Sequence, residues 1–308
     1  MNDTTTKMLG AIVKAAAASS GDAAAVSQAI QLLHGLAETA VQCAEQTITT
    51  AGQAADPAAV QRLLKAELDM VVPLLVHLLA MQGLPSGAEA AKSAATDVCL
   101  LLCKTMAKGL THDLSSVRPA TLGAMVKLGQ GLCTAGSSGG SALFVGCLGS
   151  CGGAVLQALL HADATETEVQ SAVAFYLLAC RAVPEASQRT TLCSAIVPAL
   201  IVLIGRGNAS AGSSASKLAK GVSALAAKLC LSLAKDATLA GDFKLQAGRL
   251  TPELRATLEG GLRSAMAGAA SPGPSPRARA GSTGSAGSRG GATPRRAAKP
   301  AIALKMDF

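Results

Sequence analysis

Along most of the chain, apolar residues recur three and four positions apart. Ala91, Ala94, Ala95, Val98, Cys99, Leu102 and Met106 fall on one face of an α-helix, and Glu89, Lys92, Ser93, Asp97, Lys104 and Lys108 take much of the other. The same test holds for Val26, Ile30, Leu33, Ala37, Val41 and Ala44, and again for Leu218, Val222, Leu225, Ala226, Leu229 and Leu233. Asp56-Pro57 supplies an N-cap followed by a proline whose missing N–H costs nothing in a first turn, and Thr251-Pro252-Glu253 reads as another start. Gly83-Leu84-Pro85-Ser86, Ser137-Ser138-Gly139-Gly140 and the stretch from Gly205 to Ser214 read as loops. The pattern predicts about ten or eleven helices between Asp3 and Met266. Period-two alternation occurs only at the end, in "AIALKMDF".

Composition agrees. Half of the 308 residues are hydrophobic but only 2% are aromatic, so the apolar fraction is carried by Ala and Leu, which favour helices over sheets. The expected class is all-α. The net charge of +8 belongs mainly to the tail: from Ser271 onward there are seven basic residues and one acid. The start, "MNDTTTKMLG", is polar and acidic where a secretory signal is basic and then apolar. Nine cysteines, most of them inside helical apolar patterns, fit a reducing, cytoplasmic setting, and their odd number argues against a complete disulfide framework.

From Leu128 to Ala162 there is no Asp, Glu, Lys or Arg. Within this run, "SALFVGCLGSCGGAVLQALL" (Ser141 to Leu160) is long enough to span a bilayer, and Gly149 and Gly153 have the spacing that lets helices approach closely. Ser141, Ser150 and Gln157 interrupt it, however, and neither a basic flank nor an aromatic belt marks an interface. A helix buried among helices is the preferred reading, with Gly149 and Gly153 at a close contact. A membrane protein using 141–160 and 190–205 is the alternative. The glycines lack the Gly-Lys-Ser/Thr that a phosphate loop needs.

"VVPLLVHLL" (Val71 to Leu79) and "IVPALIVLI" (Ile196 to Ile204) are alike, and their prolines stand 125 residues apart, about three units of a ~40–47-residue helical repeat. "AVLQALLHADATETEVQSAVAFYLL" (Ala154 to Leu178) has the same helix–turn–helix layout. With Pro73 and Pro198 in first helices and an acidic turn from Asp163 to Glu168, the chain resembles the HEAT/armadillo α-solenoids. Gln170 stands where that family often has a basic residue. "FKLQAGRLTPELRATLEGGLR" and the final "AIALKMDF" resemble the C-terminus of the very large HEAT-repeat scaffolds that work with clathrin adaptors between endosomes and the trans-Golgi. The resemblance implies a right-handed α-solenoid over 1–268, a disordered Gly/Ser/Pro/Arg-rich linker over 269–300 and a short docking motif at 301–308. It also implies a non-enzymatic, protein-binding role in vesicle transport, with clathrin-adaptor machinery as partner and placement on endosome or Golgi membranes. A karyopherin-like carrier is the rival solenoid reading, disfavoured by a nearly neutral body poor in aromatics.

The candidate chemistry is sparse. Cys99 and Cys103, and Cys147 and Cys151, are i, i+4 pairs, each on one helix face. Structural zinc generally takes four ligands, and both pairs lie in apolar helices without a nearby His, so core packing is the reading for both, with no metal or cofactor expected. His34, His77, His112 and His161 are scattered and form no catalytic motif; Asp69, Pro73 and His77 share a helix face that surface placement explains. Lys217, Lys220, Lys228 and Lys235 form one basic stripe, a candidate contact for an acidic protein or an anionic membrane surface. Ser271, Ser275 and Thr293 each precede proline among arginines, so phosphorylation there would cancel much of the tail's charge. Ile302, Leu304, Met306 and Phe308 would line one side of an extended strand that could add to a partner's sheet. Without interleaved aromatics, the basic tail does not point to nucleic acid.

Overall fold

The computed structural model describes residues 3–18, 22–84, 87–134, 138–183, 185–209 and 215–269. These form eleven α-helices: α1 (Asp3–Ala18), α2 (Ala23–Thr50), α3 (Pro57–Met81), α4 (Ala88–Leu110), α5 (Val117–Thr134), α6 (Ser138–Leu160), α7 (Glu166–Ala182), α8 (Ala186–Ala209), α9 (Ala215–Lys235), α10 (Ala240–Gly248) and α11 (Pro252–Ala269). No strand occurs among the described residues. The starts follow from local chemistry. Asp22 accepts hydrogen bonds from the Ala24 and Ala25 amides at the head of α2. Asp56 does the same for Ala58 at 2.9 Å ahead of Pro57. Thr165 and Glu168 form a reciprocal capping box on α7. Two expected loops are shorter than the glycines suggest: α6 begins inside the Ser137–Gly140 cluster and α8 runs on through Gly205 to Ala209.

The helices stack in two rows. α2, α4, α6 and α8 touch in succession, as do α3, α5, α7, α9 and α11, and each helix from α2 to α10 also packs on the helix before it. The substantial contacts reach no further than three helices along the chain. One continuous core runs from Leu9 to Ala265. Apart from the attachments of the terminal helices α1 and α11, contact between α2–α7 and α8–α11 is the thinnest in the array. It is tied by Arg181 to Asp236 at 3.3 Å and by Arg206 Nη1 donating to the His161 carbonyl at 3.2 Å.

Pro73 and Pro198 do not occupy equivalent positions. They lie inside α3 and α8, five helices apart and in opposite rows. Their spacing therefore spans two and a half helix pairs rather than three repeats. The likeness of the two segments reflects a shared need: each buries a run of aliphatic side chains, Leu74, Leu75, Leu78 and Leu79 in one, Leu200, Ile201, Leu203 and Ile204 in the other.

A buried ion pair joins successive pairs of helices. Arg118, at the second position of α5, is fully buried and donates from Nε to Glu168 Oε1 at 3.1 Å and from Nη2 to Asp163 Oδ1 at 2.6 Å. Its Nη1 donates to the carbonyls of His112 and Asp113. The basic partner of the acidic turn thus stands early in α5, not at Gln170.

Candidate functional site

Cys99 and Cys103 share the inward face of α4, and Cys147 and Cys151 share that of α6. Because α4 and α6 are consecutive members of one row, the two faces meet. The Cys99 and Cys147 sulfurs lie 3.0 Å apart, and the sulfurs of Cys99, Cys103 and Cys147 all lie within 4.8 Å of one another. Cys103 is the hub. Hydrogen bonds from Cys147, Cys151 and Cys99 hold its thiol below the ordinary range, while the bond to Cys103 is the main reason that Cys99 is pushed up to about 12. Cys147 and Cys151 are raised by the same bond and by burial. Cys151 Sγ also donates to the Cys147 carbonyl at 2.8 Å. The two pairs read separately in the sequence are therefore one four-thiol cluster, joined across 48 residues.

The cluster is buried but not sealed. A cavity of about 240 Å³ is lined by Cys99, Cys103 and Cys147 together with Gln82, Lys92 and Thr96. Lys92 is the one charged residue among the described residues lining it. The Gln82 amide nitrogen, also buried, has no hydrogen-bond partner. Such a set of soft, convergent sulfurs can ligate a thiophilic ion, form a disulfide or react with an electrophile.

The exposed face of α6, which borders the cavity at Ala142 and Gly146, is unusual. Gly149 and Gly153 are exposed, and a Cβ at either position would meet nothing within 4 Å. This corrects the expected close contact. The inward positions belong to Phe144, Cys147, Cys151 and Val155, and the glycines that face a neighbour are Gly139, against Gln82, and Gly152, whose carbonyl accepts from Tyr176 at 2.8 Å. Ala142, Gly146, Ser150 and Gln157 complete an outward strip on a helix without a charged residue. By length and composition, α6 and α8 could cross a membrane: their apolar windows, Gly139–Leu160 and Ala186–Gly207, are 39% and 50% buried within the fold.

Lys217, Lys220, Lys228 and Lys235 are all exposed on α9. Lys220 and Lys228 border a groove of about 670 Å³ between α8, α9 and α11. Leu218, expected on the buried face, is 43% exposed, at the edge of an open groove it shares with His161, Leu203 and Arg206. Asp69 is held by Lys65 and Lys127, each at 2.6 Å. Ser271, Ser275, Thr293, Ile302, Leu304, Met306 and Phe308 lie outside the described residues, as do the linker beyond Ala269 and the docking motif. No family model, curated protein or solved structure matches the chain.

Proposed function

We propose that the chain is a non-enzymatic, protein-binding scaffold of the HEAT/armadillo-like, right-handed α-solenoid type, serving vesicle transport with clathrin-adaptor machinery as its partner on the cytoplasmic side of endosome or Golgi membranes. The observation that carries the protein-binding part is the outward strip of α6. Six exposed positions, Ala142, Gly146, Gly149, Ser150, Gly153 and Gln157, carry no charge. A helix face left to water normally gathers charged side chains, and a surface without them is suited to being covered. Its glycines would let a partner's backbone come close. Stacking by near neighbours, which leaves long faces open along both rows, supports the solenoid reading. The Arg118 pair with Asp163 and Glu168 supports it too, because it links one helix pair to the next. The vesicle-transport part rests on the resemblance of the C-terminal segments. In this reading the lysine stripe on α9 and the basic tail meet an acidic protein or an anionic membrane surface. Ser271, Ser275 and Thr293 are the phosphorylation points that release it, and Ile302, Leu304, Met306 and Phe308 are a second anchor.

The test is a Gly149→Glu/Gly153→Lys double variant of the full chain, immobilised beside the unaltered chain and offered purified clathrin-adaptor complexes. Both side chains enter open space, so the fold is kept. Adaptor capture should fall at least about tenfold, the equivalent of ~1.4 kcal/mol. Equal capture by both chains would remove α6 from the contact, and no capture by either would remove the adaptor as partner. The adjacency of the two long apolar helices, α6 and α8, favours a membrane-embedded protein as the second reading. Resistance to alkaline carbonate extraction would establish it in place of the first.

A further inference from the structure

We propose that Cys99, Cys103, Cys147 and Cys151 form a thiolate binding site for a closed-shell thiophilic metal ion, Zn(II) or Cu(I). The argument is geometric. Two i, i+4 pairs on facing helices project four sulfurs into one point of the array, the way metal sites are built inside helix bundles. A Zn–S bond of about 2.3 Å places tetrahedral sulfurs ~3.8 Å apart. Three of the four sulfurs already lie within 4.8 Å of one another, and the fourth, on Cys151, stands one turn further along α6 on the same buried face, where it donates to the Cys147 carbonyl at 2.8 Å. Cys99 and Cys147, at 3.0 Å, need only part by less than an ångström (about 0.8 Å by the same Zn–S geometry).

Softness of the ligands selects the ion. An all-sulfur set without carboxylate or imidazole suits Zn(II) or Cu(I) rather than Mg(II), Ca(II) or Mn(II). The cavity of about 240 Å³ gives the ion a way in, and Lys92 on its wall offsets the negative charge of the bound thiolates. Loading is a proton exchange: each sulfur that ligates loses its proton to solvent, so four protons leave when four thiols bind one ion, with no change of oxidation state. Affinity therefore rises with pH. This site does not depend on the scaffold reading: its sulfurs lie on the buried face of α6, and the partner surface, although Ala142 and Gly146 border the cavity as well, is probed at Gly149 and Gly153, which do not line it.

The full chain, purified anaerobically with reductant and freed of metal, is titrated with Co(II) as a spectroscopic stand-in for Zn(II), and separately with Cu(I) carried by a chromophoric chelator. One equivalent should bind. Co(II) should show thiolate charge-transfer and tetrahedral d–d bands that Zn(II) abolishes, and whichever of Zn(II) and Cu(I) is retained against a chelator is the native ion. Cys103→Ser and Cys147→Ser should each weaken binding by more than the ~10–100-fold that loss of an outer-shell partner costs. A Cys180→Ser/Cys193→Ser variant, altered at the α7–α8 contact, should keep the full equivalent. Three results would overturn the proposal: a folded, reduced, unaltered chain that binds neither ion; undiminished binding by Cys103→Ser; or a Cys99–Cys147 disulfide as the state found by peptide mapping of chain isolated under reducing conditions. The titration of the unaltered chain decides the matter even where a serine variant fails to fold.

Discussion

Replacing Arg118 by Met is the sharpest probe of how the helix pairs are joined. The guanidinium is wholly buried, and so is the Glu168 carboxylate it pairs with, whereas the Asp163 side chain is 53% exposed. Asp163 can turn to water when the arginine is lost, and that contact is worth at most about 1 kcal/mol. Glu168 cannot. Its Oε2 keeps the Thr165 amide and hydroxyl, but Oε1 loses its cation while the side chain stays fully buried. Breaking a buried pair from one side costs ~3–5 kcal/mol, and two freed carbonyls, those of His112 and Asp113, add to it. Arg118→Met should therefore lower stability by about that amount in urea unfolding followed by circular dichroism. Adding Glu168→Gln removes the stranded charge while keeping an oxygen for Thr165, so the double variant should recover about 1–3 kcal/mol. A loss below about 1 kcal/mol with an unchanged denaturant slope, or strict additivity of the two changes, would refute the buried pair as the joint.

Gly149→Ala should stabilise by about 0.5–1 kcal/mol, because it removes backbone freedom in a helix and meets no neighbour. Gly129→Ala, whose Cβ would lie 2.7 Å from the Phe144 ring, should destabilise by ~1–3 kcal/mol; thermal melting separates the two. Burial pushes the Asp69 carboxyl up, but hydrogen bonds and charge from Lys127 and Lys65 outweigh it and hold the group below its usual range. Its stabilising effect is full above the unfolded value of about 3.9 and is lost as pH falls through the lower folded value, so Asp69→Asn should flatten the acid limb of the melting curve. Glu67 is the reverse case, raised chiefly by burial. Its charge costs stability near neutral pH and the cost disappears as pH falls, so Glu67→Gln, which keeps the oxygen that accepts from Thr47, should melt higher at pH 7 and converge with the parent in acid.

The helices were legible in the sequence because helical burial is a local, periodic demand, and the caps at Asp56 and Thr165 are closed by residues two or three positions away. What escaped depends on which faces meet. Cys99 with Cys103 and Cys147 with Cys151 could each be placed on a face, but only the stacking of α4 on α6 brings them together. Arg118 looks like any surface arginine until the acids 45 and 50 residues further on are folded over it. Gly149 and Gly153 invited a close-packing reading, although Phe144, Cys147, Cys151 and Val155 form a better apolar stripe on the same helix and take the inward side. The position of Pro73 and Pro198 in opposite rows likewise needed the helix count between them, which the similarity of the two segments does not supply.

The thin contact between α7 and α8 gives the array uneven stiffness. Load applied at the two ends passes from helix to helix, since no strut crosses from one end to the other, and it concentrates where the shared surface is least. α2–α7 and α8–α11 behave as two rigid plates on one compliant joint, with Arg181–Asp236 and Arg206–His161 as its fasteners. A ligand gripping both plates sets the angle between them, and one gripping a single plate leaves the other free to swing. Among the interior divisions of the array, the same joint is the one at which parting exposes the least shared surface, and it leaves each plate with its own share of the core.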